Sequence, residues 1–280
     1  MPNQPNTLLE NIMQKQSLIA ILLPVFSLVG CGGSGSNPVV TQPTPLPTPT
    51  TNQCDKQLLD QTQPIISEKL AQNAYPLCFD GFKVMYSGVS KTPIWVAEYL
   101  TRQRLTYAKS LVREDNFHEE TQLPVGARSY LADYSNSGYD RGHLAPNADM
   151  SNKTSQYNSF SLANIAPQNP TNNRQTWVKI ENKTRELTNQ YASSYVVTGV
   201  AFLDPRVKML NNNVFIPTHF FKAVYLPSQA QAVAFISPND ASNTVEAISL
   251  NELAKRTGVD AFPNLPYAVK SMRMTVNLDK

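Results

Sequence analysis

The chain has 280 residues and is poor in charge, in cysteine and in histidine. Its 24 Lys and Arg barely outnumber its 21 Asp and Glu, and a formal net charge of +3 excludes nucleic-acid binding through bulk positive charge. Three cysteines cannot build a disulfide framework. Neither His118 nor His219 has metal-ligand spacing to another histidine or cysteine, which argues against zinc. A hydrophobic content of 41% is nevertheless enough for a core.

A short apolar stretch near the N-terminus predicts an export signal. Residues 18–29 are mainly apolar, follow a lysine, contain a proline and end just before Cys31. A membrane-spanning helix needs about twenty apolar residues, so this stretch is too short to be one. A basic start, a short apolar segment and a small-residue processing site predict a signal peptide at residues 1–30. A start at Met13 would leave a compact signal of the same type.

The residues before Cys31 predict a lipid anchor. Residues 28–31, Leu-Val-Gly-Cys, resemble the bacterial lipobox, in which the chain is cut before the cysteine and a lipid is attached to its sulfur. An ordinary secretory signal followed by a chance cysteine is the alternative. We therefore expect an exported, membrane-anchored lipoprotein. Gly32 replaces the aspartate associated with inner-membrane retention, which favours the outer membrane, facing the periplasm or the cell surface.

Residues 31–51 predict a tether. They are rich first in glycine and serine and then in alternating proline and threonine, with five of the chain's 21 prolines. Alternating prolines favour extended polyproline II, which has no apolar face to bury. Residues 52–280 then form a single domain. In an exported chain, Cys54 and Cys78 near its start could pair as a disulfide or remain two buried thiols.

Patterns along residues 52–280 predict an α+β fold. Segments rich in β-branched and aromatic residues predict strands at residues 82–87, 94–100, 195–200, 214–216, 220–225 and 232–236. The first two are expected to form an antiparallel pair. Residues 55–71 predict one or two short helices, and a capping box from Ser249 to Glu252 predicts another that stops at Gly258. Strands that follow one another without alternating helices favour the α+β class.

The tetrapeptide Asp140-Arg141-Gly142-His143 places a carboxylate, a guanidinium and an imidazole in one short segment. A neutral His143 could accept a proton from water. Arg141 has the planar fork that suits a phosphate, or a carboxylate such as Asp140. For this motif alone, a surface turn with a structural ion pair is the alternative.

A second polar motif lies on a predicted helix. Asn173, Trp177, Glu181 and Arg185 are spaced four apart, which places them on one face of an α-helix. A structural stripe would be aliphatic, whereas this one offers an amide, an indole, a carboxylate and a guanidinium. The alternative is a packed Trp177 beside an ordinary surface pair of Glu181 and Arg185.

These motifs together resemble the DNA/RNA non-specific endonuclease family. The resemblance covers most of residues 80–262 and also rests on residues 164–168, 198–199, 217–222 and 237–239. It implies a ββα-metal finger, with two strands bearing the histidine and a helix bearing the metal ligand, set in a mainly antiparallel central sheet flanked by helices. It also implies Mg²⁺-dependent, sequence-non-specific hydrolysis of phosphodiester bonds in DNA and RNA. Mn²⁺ is a candidate substitute for Mg²⁺, and homodimers occur in the family.

The resemblance implies roles for individual residues. His143 matches the general base that deprotonates the attacking water, and Asn173 matches the single protein ligand of a hydrated Mg²⁺. Asn172 stands where the family usually has an apolar residue, which leaves the register of the metal ligand, Asn172 or Asn173, open. With His143 as base, we expect activity to rise as the pH passes the imidazole pKa, near 6.5 if unperturbed.

Four further residues match supporting positions of the family's site. Glu181 corresponds to a residue that positions water on the metal. Arg141 and Asn164 correspond to residues that line the site, and Arg113 to an arginine that contacts the phosphate. The second hypothesis is a non-catalytic nucleic-acid-binding lipoprotein on the same fold, although a binding module has no need of a base opposite a metal ligand.

Overall fold

The computed structural model describes residues 54–278. The strands are β1 (Ile65–Ile66), β2 (Ala74–Phe79), β3 (Phe82–Ser87), β4 (Thr92–Thr101), β5 (Asp140–His143), β6 (Ile165–Gln168), β7 (Ser193–Ala201), β8 (Met209–Leu210), β9 (Val214–Phe215), β10 (His219–Leu226), β11 (Gln231–Pro238), β12 (Glu246–Ile248) and β13 (Val259–Asp260). The α-helices are α1 (Glu68–Ala71), α2 (Arg102–Ala108), α3 (Leu131–Tyr134), α4 (Lys153–Ser159), α5 (Val178–Tyr191), α6 (Leu250–Thr257) and α7 (Tyr267–Ser271). A π-helix, Asn172–Trp177, leads directly into α5.

One antiparallel sheet forms the centre of the molecule. Its seven strands lie in the order β12-β11-β10-β7-β4-β3-β2. β5 and β6 form a separate antiparallel pair, and the π-helix and α5 follow β6 in the chain. The structure therefore confirms the predicted α+β class with a mainly antiparallel sheet, and it contains the two strands and the helix of the predicted finger.

The two faces of the sheet pack against different helices. On the face towards α5, here called the α5 face, Phe220 and Val224 of β10 belong to the same buried cluster as Ile180 of that helix. On the opposite face, the α6 face, Phe221 packs in a cluster with Leu253 of α6. Successive side chains of a strand point to opposite faces, so β10 is buried on both sides. This explains its nearly continuous apolar sequence.

Most of the predicted elements are present. The predicted strands at 82–87 and 94–100 are β3 and β4, and they pair antiparallel. Ser249 caps α6 by accepting the Glu252 N–H at 3.1 Å, and Gly258 ends it with φ +75°. In residues 55–71 the structure has a 3-10 turn, the short strand β1 and the single short helix α1. The sequence did not predict β2, whose Pro76 is tolerated because β2 is an edge strand.

A disulfide ties the start of the described chain to the sheet. The structure joins Cys54 to Cys78 of β2, with their Cα atoms 5.6 Å apart. Next to Cys54, Asp55 forms an ion pair with Lys83 of β3, with Nζ and Oδ1 2.8 Å apart. No helix within residues 54–278 is long and apolar enough to cross a membrane. The predicted signal peptide, the predicted lipidation site Cys31 and the predicted tether lie outside the described residues.

Candidate active site

The strand pair that carries the histidine is closely packed. β5 carries Gly142 and His143, and a Cβ atom on Gly142 would overlap the side chain of Gln168 on β6. Gln168 is fully buried and donates from Nε2 to Asn172 Oδ1 at 2.7 Å. The glycine of the tetrapeptide is therefore required for the two strands to pack against the start of the following helix.

His143 lies against two aromatic rings. The centroid of its imidazole is 5.4 Å from that of Phe117 and 5.0 Å from that of Phe160. The residue is partly exposed, but its Nε2 is buried and has no hydrogen-bond partner among the described residues. A buried nitrogen without a partner costs free energy, which is tolerated most readily where the group serves a function.

Burial and nearby cations keep this imidazole neutral. Burial, together with Arg113 and Arg141, lowers the pKa of His143 to about 3, against the attraction of Asp115. The ordinary value is near 6.5. His143 is therefore an unprotonated base throughout the neutral range, and its pKa is not the unperturbed one used in the sequence-based expectation.

Two arginines are held over the same aromatic rings. The Arg141 guanidinium lies 4.0 Å from the centroid of Phe117, and that of Arg113 lies 5.2 Å from the centroid of Phe160. Such cation–π contacts orient a guanidinium without using its N–H groups. Arg113 also pairs with Asp115 at 2.8 Å, on the surface. The structure thus brings Arg113, Arg141 and His143 together around an aromatic pair that the sequence analysis did not identify.

Asp140 orients the proposed metal ligand. Its carboxylate accepts two hydrogen bonds from Arg174, at 2.8 and 2.6 Å, and one from Asn173 Nδ2 at 2.9 Å. Although partial burial opposes them, these bonds lower the pKa of Asp140 below its ordinary value. Asn173 Oδ1 receives no hydrogen bond within residues 54–278 and remains a free acceptor. Arg174, and not Arg141, is the partner of Asp140.

The neighbouring asparagine is used by the fold. Asn172 is buried, and its Oδ1 accepts from Gln168 while its Nδ2 donates to Ser237 Oγ and to the Pro238 carbonyl, both at 2.8 Å. All of its polar atoms therefore have structural partners. Of the two asparagines that the sequence left open, only Asn173 presents a free oxygen.

The helix that bears Asn173 begins as a π-helix. The four-residue spacing predicted an α-helix from Asn173 onward, and this prediction is wrong for the first turn. A π-helix bonds residues five apart, so the turn that carries Asn173 differs in hydrogen bonding from α5, which carries Glu181 and Arg185. Trp177 is 1% exposed and packs on Phe220, with ring centroids 5.5 Å apart. Single π-helical turns occur often at functional sites.

Glu181 and Arg185 are largely buried and do not form an ordinary surface pair. Their side chains are 14% and 18% exposed and lie 3.7 Å apart. Arg185 also binds Asp149 at 2.9 Å. Burial raises the pKa of Glu181 above its ordinary value, against the attraction of Arg185 and Lys222. Glu181 is therefore a carboxyl group with a perturbed pKa, held in place by a buried arginine.

Asn164 fixes the backbone that follows His143 and does not line the site. It is fully buried, and its Oδ1 accepts the Ala145 N–H at 2.9 Å. Its Nδ2 donates to the carbonyls of Ala145 and Ser159 at 2.9 and 2.8 Å. The expectation that Asn164 lines the site is therefore corrected, because its amide is consumed in fixing the turn two residues after His143.

The sequence comparison assigns this chain to a family. The model of the DNA/RNA non-specific endonuclease family matches residues 61–268. The chain belongs to the DNA/RNA non-specific endonuclease family. This endonuclease is 32% identical over 266 residues to a nuclease of Nostoc sp., covering 87% of this chain and 93% of the relative. It is 30% identical over 230 residues to human mitochondrial endonuclease G, covering 75% and 74% of the two chains.

A solved structure supports the same fold. The endonuclease matches a chain in the crystal structure of an EndoG/EndoGI complex with a TM-score of 0.61 and 24% identity. The match covers 69% of this chain and 91% of that chain. The family and its named relatives make the chain a nuclease, which hydrolyses phosphodiester bonds.

The residues of the endonuclease fit a hydrated divalent cation. Mg²⁺ prefers oxygen ligands and retains several of its waters, so a single amide oxygen is a suitable protein ligand. Asn173 Oδ1 meets this requirement, since Asp140 fixes the amide through Nδ2. Within residues 54–278, no group of three or more His, Cys, Asp or Glu side chains is placed to hold a metal ion. The fit therefore rests on Asn173, and Glu181 on α5 is the proposed support.

Proposed function

We propose that this chain is a Mg²⁺-dependent, sequence-non-specific endonuclease of DNA and RNA in which His143 is the general base. The observation that carries the proposal is the state of His143. Its pKa is lowered to about 3, its Nε2 is sealed from solvent, and two arginines lie over the rings beside it. A neutral imidazole next to phosphate-binding cations suits attack by water on a phosphodiester.

The tautomer of His143 follows from its burial. Because Nε2 is closed to solvent, the ring can exchange a proton with water only through Nδ1. A neutral imidazole has one protonated nitrogen, so Nε2 carries the proton and Nδ1 accepts one from the attacking water. Phe117 and Phe160 fix the plane of the ring, and therefore the direction of the Nδ1 lone pair.

The arginines bind the substrate's phosphate in this mechanism. Arg141 is exposed and packs the face of its guanidinium on Phe117, and within residues 54–278 its guanidinium N–H groups make no hydrogen bond, so they can reach a phosphate oxygen. Arg113 is loosely held by Asp115, an exposed pair that contributes little to stability. We assign both to orienting the phosphate and to balancing the negative charge that develops during attack.

Asn173 is the proposed ligand of the metal ion. Mg²⁺ bound there would supply positive charge beside the scissile phosphate and the leaving oxygen, and Mn²⁺ prefers similar ligands. Asp140 holds Asn173 through Nδ2, and Arg174 neutralises the Asp140 carboxylate. Glu181 is the proposed acceptor for water at this site. These contacts go to phosphate and not to base edges, so we expect little sequence selectivity on either DNA or RNA.

A cleavage assay tests the proposal. The chain without residues 1–30 is incubated with supercoiled plasmid or with RNA in Mg²⁺, in Mn²⁺ and in EDTA. We expect both nucleic acids to be cut, EDTA to abolish cutting, and His143→Ala to lower the rate by about 10²–10⁴-fold. His118→Ala is the matched control, because His118 stacks on Tyr157 in a surface loop, and it should remain active.

Three results would contradict the proposal or part of it. Retardation of DNA on a gel without any nicking would support the non-catalytic binding lipoprotein instead. Cleavage by His143→Ala at the wild-type rate would keep the enzyme but remove His143 as its base. Activity that persists in EDTA would remove the metal.

We also propose that the nuclease is anchored to a membrane through a lipid on Cys31. The support is the lipobox-like sequence at residues 28–31 and the Pro/Thr-rich tether after it. Labelling of cells with a fatty-acid probe should mark the wild type, and Cys31→Ala should lose the label and leave the membrane fraction. A soluble wild type without label would overturn the anchor. The homodimer stays a prediction that sedimentation velocity can decide.

A further inference from the structure

A polar groove lies beside the finger, at the start of β5. Its volume is about 330 Å³, which falls within the size range of small-molecule sites, about 300–1,000 Å³. The groove is formed by the residue before β5, the segment between β7 and β8, the start of β10 and the residues after β11. The side chains used below are Tyr139, Asp204, Arg206, Lys208, Asn239 and Asp240.

The groove is attached to the proposed metal-ligand helix. Asn239 accepts the Asn169 N–H at 2.7 Å through Oδ1, and its Nδ2 donates to the Pro167 and Pro217 carbonyls at 3.0 and 2.8 Å. Asn169 in turn accepts the N–H of Asn173 at 2.8 Å. Tyr139 on the groove wall directly precedes Asp140 in the chain. The groove is therefore fixed next to the proposed site of cleavage.

The cations of the groove have no protein partner. Arg206 and Lys208 are exposed, and within residues 54–278 neither side chain makes an ion pair or a hydrogen bond, although the Lys208 carbonyl accepts the Ile216 N–H at 2.8 Å. Arg174, on the helix nearby, differs because its guanidinium is held by Asp140. Two free cations in a concave polar surface are suited to a phosphate group.

The groove also contains acceptors and an aromatic ring. Asp204 and Asp240 add two carboxylates, of which Asp240 accepts the Ser242 N–H at 2.8 Å. Carboxylates repel a free inorganic anion but accept hydrogen bonds from the N–H groups of a base or from sugar hydroxyls. Tyr139 offers a surface against which a base can pack. Cations, acceptors and an aromatic ring together fit a nucleotide better than a phosphate ion alone.

We propose that this groove binds one nucleotide of the substrate strand adjacent to the scissile phosphate. The inference rests on the proposed nuclease function and adds a second binding position to it. Arg206 and Lys208 bind the phosphate of that nucleotide, while Tyr139 and the two carboxylates contact its base and sugar. The groove holds the strand and takes no part in the chemical step.

The first test compares two substrates that differ in reach. Arg206→Ala/Lys208→Ala is assayed on a 20-nucleotide single strand and on bis(p-nitrophenyl) phosphate, whose only phosphate is the one that is cleaved and which therefore has no neighbouring nucleotide to place in the groove. On the oligonucleotide we expect KM to rise about fivefold or more and the salt dependence of log kcat/KM to become shallower by about 1. Cleavage of the small phosphodiester should stay at the wild-type rate.

A matched variant controls for net charge. Lys109→Ala/Lys255→Ala also removes two positive charges, but these exposed lysines lie outside the groove. It should keep the wild-type KM. If both double variants change KM and the salt slope equally, the groove is not a binding position. If the wild type cleaves neither substrate, the proposed nuclease function fails instead, so the two failures are distinguishable.

A binding measurement gives the same answer without cleavage. In a His143→Ala background, anisotropy of labelled oligonucleotides of increasing length should show a gain in affinity at the length that fills the groove. Arg206→Ala/Lys208→Ala should lose that gain. An identical length dependence in both proteins would overturn the proposal. A further measurement removes the base from one nucleotide of the oligonucleotide at a time. Removal at one position beside the cleavage site should weaken binding to the protein that keeps Tyr139, but not to the Tyr139→Leu variant.

Discussion

The two faces of the central sheet bury different kinds of side chain. On the α6 face, Phe221, Ala223 and Val197 pack with Leu253 in an apolar cluster. The Lys83–Asp55 ion pair lies on this face, where β3 pairs with β4. On the α5 face, the fully buried Lys222 stands between Phe220 and Val224 on the same side of β10. The same seven strands thus support an apolar core on both sides, and the α5 side also holds a buried cluster of charged side chains.

The charged cluster lies directly beneath the proposed active site. Its acidic members are Glu98, Asp149 and Glu181, and its basic members are Arg104, Arg185 and Lys222. Arg104 binds Glu98 at 3.1 Å and the Asp149 carbonyl at 2.8 Å, and Arg185 binds the Asp149 carboxylate. Lys222 lies 5.7 Å over the ring of Trp177.

The difference between the faces indicates different tasks. Buried ion pairs pay a desolvation penalty and often stabilise a fold less than apolar residues of the same size. Hydrogen bonds do, however, fix the orientation of the side chains that they join, and apolar contacts restrict that orientation less strictly. We infer that the α6 face mainly supplies stability and that the α5 face positions α5, and with it Glu181 and Asn173.

The largest expected effect comes from breaking the charged face. Arg185→Leu leaves Asp149 and Glu181 buried without their cation, which should lower the free energy of unfolding by about 3–5 kcal/mol. Chemical denaturation measures this loss. Below the unfolding transition, cleavage of a short oligonucleotide should also fall, since Glu181 loses its support. Wild-type kcat in a folded Arg185→Leu protein would show that the cluster does not position the site.

A truncation on the apolar face is the counterpart. Leu253 is fully buried in α6, so Leu253→Ala should lower the free energy of unfolding by about 2–4 kcal/mol through the cavity it leaves. At a temperature where the variant is folded, kcat/KM should stay within about twofold of the wild type, since the cavity is on the far side of the sheet. A large loss of kcat here would remove the distinction between the two faces.

The charged face should also make stability depend on pH. Burial, with Asp149 adding repulsion, raises the pKa of Glu98 to about 8, against the attraction of Arg104 and Lys222. The folded protein then holds a proton that the unfolded chain has lost, so stability falls as the pH rises from about 4.5 to 8. Glu98→Gln should lack this loss in denaturation curves measured across that range. Parallel curves for the two proteins would contradict the shift.

The smallest expected effect is on the acid side of the activity profile. Since the pKa of His143 is lowered to about 3, protonation of the base should not reduce kcat/KM near pH 6.5. We expect less than about a twofold fall between pH 7 and 5.5 at saturating Mg²⁺. A tenfold fall centred on pH 6.5 would show that the imidazole titrates at its ordinary value in the free enzyme.

Local sequence patterns predicted much of the fold. The strands at 82–87 and 220–225 and the helix capped by Ser249 were predicted because their signals lie in neighbouring residues. The edge strand β2 was not predicted, because a proline argues against a strand and the segment is held as one by its pairing with β3. The π-helix was missed because Asn172 is held by Ser237 and Pro238, more than sixty residues away.

The candidate site was predicted in part. Motif order alone indicated His143 and Asn173, but not the Phe117 and Phe160 rings, which reach His143 from other segments. Arg174 was not predicted as the partner of Asp140, because the two residues are 34 positions apart and meet only in the folded chain. Asn164 was given the wrong place, because nothing in its neighbourhood along the chain shows that its amide is fully used.

The amino-acid sequence by itself determined the family, the α+β class and the identity of the proposed base and metal ligand. These depend on residue type and on spacing along the chain. Only the tertiary structure decided which nitrogen of His143 can meet water, which asparagine keeps a free oxygen and which face of the sheet carries buried charge. Burial and hydrogen bonding are properties of residues that meet in space, and most of those partners are distant in sequence.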